Sequence, residues 1–252
     1  NALESGILII AVVYSIAALF NLYIPNTGVD HRIPKKNPFY LFHEFSHCVK
    51  LLWTDRLGQI SLAVTTLFWG AGATLQFIVL KWAEVAMDFP LNQAAQLQGV
   101  VAVGIAVGAV MAARWVSLRQ SVKVIPLGIA MGIVVMTMTL VTNIWIAITL
   151  LMIIGGLAGF FVVPMNALLQ HRGHILMGAG HSIAVQNFNE NLSILAMLSI
   201  YALLILFEVH IYSVIVAFGL FVSIMMTLIR RWHFLNQSKE DSLHLIGAKK
   251  LH

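Results

Sequence analysis

The sequence predicts an all-α membrane protein with seven transmembrane helices, and three observations lead there. Apolar residues make up 60% of the 252-residue chain and charged residues only 10%, whereas soluble domains carry about a quarter charged residues. Seven apolar windows are long enough to cross about 30 Å of hydrocarbon, which takes roughly 20 helical residues. Lysine and arginine are distributed between the windows with a strong bias to one side. Mean hydropathy is +0.89, and lipid offers backbone N–H and C=O groups no partners, so each window must be helical.

The windows fall at residues 4–24, 59–80, 95–116, 122–142, 144–168, 181–207 and 210–230. The first has no basic flank before it and no small-residue cleavage site after it, so it reads as a span and not a signal peptide. Gly104, Gly108, Gly155, Gly159 and Pro164 lie inside later windows. Small residues four apart let two helix backbones approach closely, so these glycines predict tight interhelical packing. Orientation follows from the rule that basic residues stay on the cytoplasmic side. With the start outside, Arg32, Lys35, Lys36, Lys50, Arg56, Arg114, Arg119, Lys123, Arg172, Arg230, Arg231, Lys239, Lys249 and Lys250 are all cytoplasmic, and Lys81 alone is outside. The net charge of +5 therefore reflects topology and anionic head groups, with no basic-aromatic pattern that would bind nucleic acid. The single Cys48 excludes an internal disulfide.

An odd number of spans starting outside, in a chain that begins at Asn1, is what a twelve-span carrier leaves when it is cut before its sixth helix. The expected organisation is residues 1–24 as the last helix of a first half, 25–58 as a cytoplasmic linker, 59–230 as a complete second six-helix half, and 231–252 as a cytoplasmic tail. The linker contains IPNTGVDHRIPKKNP, where proline and charge concentrate as in a connecting segment. Six-helix halves of this kind fit the major facilitator architecture, in which the substrate path runs between the halves.

Within the linker, residues 43–47 read HEFSH. On a helix, His43 and His47 lie one turn apart beside Glu44, which is how zinc proteases hold their metal and their general base. A protease needs a third ligand, and intramembrane ones bury the motif within a span; this one sits in a basic linker. The segment 39–53 instead reads as an amphipathic helix lying on the membrane surface. Leu41, Phe42, Phe45, Val49, Leu52 and Trp53 gather on one side, and His43, Glu44, His47 and Lys50 on the other. His171, His174 and His181 surround what the pattern makes a short cytoplasmic turn with Arg172, where solvated loop residues or head-group contacts are expected.

Polar chemistry at membrane depth is the strongest functional signal. Ser182, Gln186, Asn189, Glu190 and Ser193 follow spacings that stack them on one helix face, and Asn187 and Asn191 broaden the stripe. A glutamate facing lipid costs several kcal/mol, so Glu190 must face protein or water. Two readings are open: a hydrogen-bond cluster that holds helices together, or the polar wall of a substrate path. Pro164 predicts a kink in the preceding span, after which Asn166 and Gln170 project together. In 59–80, Thr65, Trp69, Gly72 and Gln76 repeat along one face and present hydroxyl, indole and amide.

At these residues the chain resembles the bacterial lysophospholipid transporter family of the major facilitator superfamily. The segments are TTLFWGAGATLQF, FFVVPMNALLQHRG and GAGHSIAVQNFNEN, and the resemblance runs from about Asn21 to the end of the last span. It implies a multi-pass protein of the bacterial inner membrane that takes lysophosphatidylethanolamine, and lysophosphatidylglycerol, from the outer to the cytoplasmic leaflet. There an acyltransferase/acyl-carrier-protein synthetase would re-acylate them. It implies no enzyme activity and no cofactor, and it makes membrane lipids and the first half of the same carrier the other partners. The substrate path would use Thr65, Trp69, Gln76, Asn166, Gln170, Gln186, Asn187, Asn189 and Glu190. Gln76 departs from the basic residue the family commonly places there, so charge compensation for a lipid phosphate must come from elsewhere. The rival readings are an exporter of a drug or another amphiphile, a non-functional truncated half, and a zinc membrane protease built on His43, Glu44 and His47.

Overall fold

The computed structural model describes residues 2–23, 38–239 and Ile246; residue 24 of the expected first span, residues 25–37 of the expected linker and the rest of the tail beyond Lys239 lie outside the described residues. The chain divides into two compact units, residues 1–41 and 42–252. The first contains α1, Ala2–Asn21, an apolar helix whose length and composition suit a membrane span. The boundary between the units falls within α2, Pro38–Thr54.

The second unit continues with α3, Gly58–Met87, and α4, Leu91–Trp115. A short α5, Ile125–Met136, follows, extended by 3-10 turns at Leu118–Val124 and Thr137–Leu140. It ends with α6, Ile144–Met177, α7, Ala179–Leu206, and α8, Ile211–Lys239. Among the described residues, seven helical segments are long and apolar enough to cross a membrane, and they coincide with the seven predicted windows.

Three helices outrun their windows: α3 continues to Met87, α6 to Met177 and α8 to Lys239. At 1.5 Å per residue, the 34 residues of α6 reach about 50 Å, well beyond the hydrocarbon thickness. The predicted cytoplasmic turn around His171 and Arg172 is therefore corrected: both residues are helical, and the helix continues through Pro164 to Met177. The chain reverses at Gly178, whose φ of 81° is a conformation that only glycine adopts without strain. Arg172 is not a solvated loop residue. It is buried and makes a bidentate pair with Asp55, Nη2 to Oδ2 at 2.6 Å and Nε to Oδ1 at 3.1 Å. The same carboxylate accepts the Gly58 backbone N–H at 2.7 Å, so it also satisfies an orphan donor in the first turn of α3.

The predicted glycine packing is present and joins α4 to α6. A Cβ on Gly104 would meet the Met152 carbonyl oxygen at 2.5 Å, one on Gly108 would strike the carbonyl of Gly156, and those on Gly155 and Gly159 would strike the carbonyls of Val101 and Ile105. A second crossing of this kind, between α5 and α8, uses Gly132 and Gly219. The main apolar core runs among α3, α4, α5, α6 and α8 and includes Trp82, Phe161 and Met138. The Trp82 indole N–H donates to the Met138 carbonyl at 3.0 Å, which satisfies the polar end of a fully buried ring.

The expected amphipathic helix forms, and the C-terminal part of its apolar face packs on the bundle. Cys48 and Leu52 are buried against Leu62 of α3, Leu169 of α6 and Val185 of α7, whereas Leu41 and Phe42 of the same face are exposed. Phe45 meets Phe188 edge-on at 5.3 Å, and Trp53 stacks on Trp232 of α8 at 6.3 Å. Burial raises the Cys48 thiol above its ordinary range, and the Glu44 carboxylate adds to the rise, so the thiol acts as a small neutral apolar group. His43, His47 and Lys50 face outward, as the polar side of the pattern predicts.

Candidate substrate path

On α7 the one-turn and two-turn spacings bring Ser182, Gln186, Asn189 and Glu190 into the protein, and all four are buried. Gln186 is the centre of the cluster. Its amide Nε2 donates to Glu190 Oε1 at 2.8 Å, one turn along the same helix, and to Asn166 Oδ1 of α6 at 3.1 Å. The Trp69 side chain of α3 lies close to the Glu190 carboxylate. Three helices thus contribute to one polar junction. Asn189 turns its amide back to the Val185 carbonyl of its own helix at 2.8 Å.

Beside the junction lies a groove of about 670 Å³, within the range of roughly 300–1,000 Å³ typical of ligand pockets. Its walls are mainly apolar, with Val79, Ile105, Met131, Ile154 and Phe218 among them, and its polar groups come from Trp69, Gln76 and Gln98. Gln98 donates its amide to the Gln76 carbonyl at 2.7 Å, tying α4 to α3 along the groove. Trp69, 43% exposed, lines the groove and lies close to the Glu190 carboxylate.

The remaining predicted path residues lie elsewhere. Thr65 is fully buried and donates its hydroxyl to the Leu62 carbonyl at 3.2 Å; it does not line the groove. Asn187 and Gln170 are exposed, and Asn191 donates to the Asn187 carbonyl at 2.7 Å. Sequence reasoning missed Gln98, the last of four amides in the first turns of α4, and the Asp55–Arg172 pair, whose members are 117 residues apart.

His43, Glu44 and His47 do not converge on a metal site. Both imidazoles are exposed, and Glu44 Oε1 lies 3.6 Å from His181 Nε2 of α7. Among the described residues no group of three or more His, Cys, Asp or Glu side chains is placed to hold a metal ion. Elemental analysis of purified protein is expected to find zinc well below one equivalent, with no change on His47→Ala. A full equivalent lost in that variant would restore the protease reading.

The chain is similar to curated relatives over most of its length. The lysophospholipid transporter LplT of Serratia proteamaculans (strain 568) is 44% identical over 200 residues, covering 79% of this chain and 50% of the relative. The lysophospholipid transporter LplT of Yersinia pestis (strain Pestoides F) is 43% identical over 196 residues, 77% of this chain and 48% of the relative. The protein of the same name from Yersinia pseudotuberculosis serotype O:3 (strain YPIII) matches with the same identity and coverage. The chain spans about half the length of the curated relatives it matches. No model of a protein family matches the chain, and no solved structure matches it.

Proposed function

We propose that this chain, a homologue of the bacterial lysophospholipid transporters and a multi-pass protein of the bacterial inner membrane, supplies the second six-helix half of a lysophospholipid carrier. The cargo is chiefly lysophosphatidylethanolamine, moved to the cytoplasmic leaflet, where an acyltransferase re-acylates it. No catalytic step is assigned to the chain itself; the relatives are named as transporters.

One observation carries this reading: Ile194, one turn along α7 from Glu190, lines the apolar groove together with Trp69, so the buried polar junction and the groove adjoin. A lysophospholipid joins a charged head to a single acyl tail, so its site needs one polar end and one apolar channel, in contact. The junction of Gln186, Glu190 and Asn166 offers the first, and the groove between α3 and α4 offers the second.

The test is inward movement of labelled lysophosphatidylethanolamine in cells that lack a lysophospholipid carrier of their own and express the complete coding frame containing this chain. Uptake well above that of cells with an empty vector is expected. Background uptake with folded protein present in the membrane would overturn the reading and favour an exporter of another amphiphile. The 252 residues alone, reconstituted in liposomes, are expected to give no flux. Alternating access rocks one half against the other around a site near the midplane, and the matched length is half of a carrier. Flux at the level of a complete carrier would show this half to be sufficient.

A further inference from the structure

Glu190 is 7% exposed and follows the start of α7, Ala179, by eleven residues, which at 1.5 Å each places it about 16 Å along the helix. A carboxylate at that depth costs several kcal/mol unless its charge is balanced. The groups around it are neutral: the Gln186 amide, one turn away, and the Trp69 side chain. Arg172 pairs with Asp55, Lys81 with Glu84, and His181 with Glu44, and Glu190 belongs to none of these pairs. The junction is thus a buried carboxyl group with an amide donor one turn away.

The surroundings specify what would balance it. Asn166 presents a second acceptor oxygen to the same Gln186 amide, and the Trp69 indole, an aromatic of the kind that attracts cations, lies close by. A primary ammonium has three N–H donors and no acceptor, so carboxylate and amide oxygen together suit it, with the indole beside them. A phosphate would be repelled by the carboxylate. A quaternary ammonium could use the ring but not the acceptors, and a glycerol head brings no charge.

We propose that Glu190, with Trp69 and Asn166, is the receptor for the primary ammonium of the lipid head group, and so sets a preference for ethanolamine-headed over glycerol-headed lysolipids. This rests on the lysophospholipid reading above. The tail then leaves the junction past Trp69 into the groove, and the phosphate is held by groups other than this cluster.

The experiment measures equilibrium binding of labelled lysophosphatidylethanolamine and lysophosphatidylglycerol to the complete protein in nanodiscs of fixed composition, alongside cellular uptake of both. Glu190→Gln keeps the size of the side chain and one acceptor oxygen for the Gln186 amide and removes its charge. It is expected to lower the ethanolamine-to-glycerol preference about tenfold, the scale of one hydrogen bond to a charged group. Trp69→Ala is expected to lower the same ratio, and Trp69→Phe, which keeps a ring, to lower it less. An unchanged ratio in Glu190→Gln, including equal loss of both lipids as a proton-carrying or sodium-binding role would give, overturns the proposal. The two readings fail separately. Uptake of lysophosphatidylethanolamine with an unchanged ratio in Glu190→Gln leaves transport standing without the receptor. Glu190-dependent preference in binding, with no uptake of either lipid, leaves the receptor standing without transport.

Discussion

Arg172→Ala is expected to remove most of the folded protein from the membrane. The Arg172 side chain is 4% exposed and that of Asp55 9%, and they meet through two parallel N–H to oxygen bonds. Deleting the guanidinium leaves a buried carboxylate whose remaining bond is to the Gly58 backbone N–H. Breaking a buried pair from one side typically costs about 3–5 kcal/mol, because the surviving charge has lost its compensation while staying out of water. The loss falls on a joint, since Asp55 lies between α2 and α3 and Arg172 on the last turns of α6. Removing both charges is a different perturbation: Asp55→Asn combined with Arg172→Gln leaves no buried charge and keeps the chance of a neutral hydrogen bond. The double variant should therefore recover much of the stability lost in Arg172→Ala. Melting midpoints in detergent, followed by size-exclusion, check both statements. A midpoint in Arg172→Ala equal to that of the unmodified protein would show that water reaches Asp55.

How the fold was legible follows from which forces leave a mark on one-dimensional spacing. The seven spans are legible because hydrocarbon imposes a length and a composition on each of them. The α4–α6 crossing is legible because a close backbone approach admits little besides glycine at Gly104, Gly108, Gly155 and Gly159. The ends of α6 are not, because polarity was the only signal for a turn, and His171, Arg172 and His174 are polar. Arginine is tolerated inside the helix there by a partner far away in the chain, which no local window contains. The amphipathic pattern of α2 was read correctly for phase but not for partner, since Phe45, Leu52 and Trp53 look the same whether they face lipid or α7 and α8.

The polar junction was half legible for a related reason. Ser182, Gln186 and Glu190 stand four apart and are buried together, whereas Asn187 and Asn191 are rotated by about 100° from their neighbours and are exposed. Thr65 and Gln76 share an angular position on α3, yet Thr65 is fully buried and Gln76 lines the groove. A helix face keeps its direction along the axis, but what packs against it changes from turn to turn.

Gly108→Leu is expected to abolish folding, and the reason is the chemistry of the obstacle. A Cβ at this position would overlap the carbonyl of Gly156 and approach the Phe160 amide nitrogen at 2.9 Å. These are backbone atoms inside a continuous helix, so no rotamer change can make room and α4 must move bodily away from α6. Overpacking a rigid site costs typically about 1–3 kcal/mol for a few extra methylenes, and here the displacement separates the whole crossing. Within lipid such contacts have no hydrophobic drive to restore them, since association rests on close packing. Gly108→Ala should already lower the melting midpoint, and Leu should leave no monodisperse protein to measure. Gly99→Ala, on the same helix but with open space at its Cβ, controls for helix propensity, where alanine is favoured by about 1 kcal/mol. The consequence reaches the site, because Gly99, Val101, Ala102 and Ile105 of α4 form one wall of the groove, and a displaced α4 widens the channel assigned to the acyl tail. A Gly108→Leu protein that remains monodisperse, with the melting midpoint of the unmodified chain, would show that α4 and α6 do not cross at the distance described.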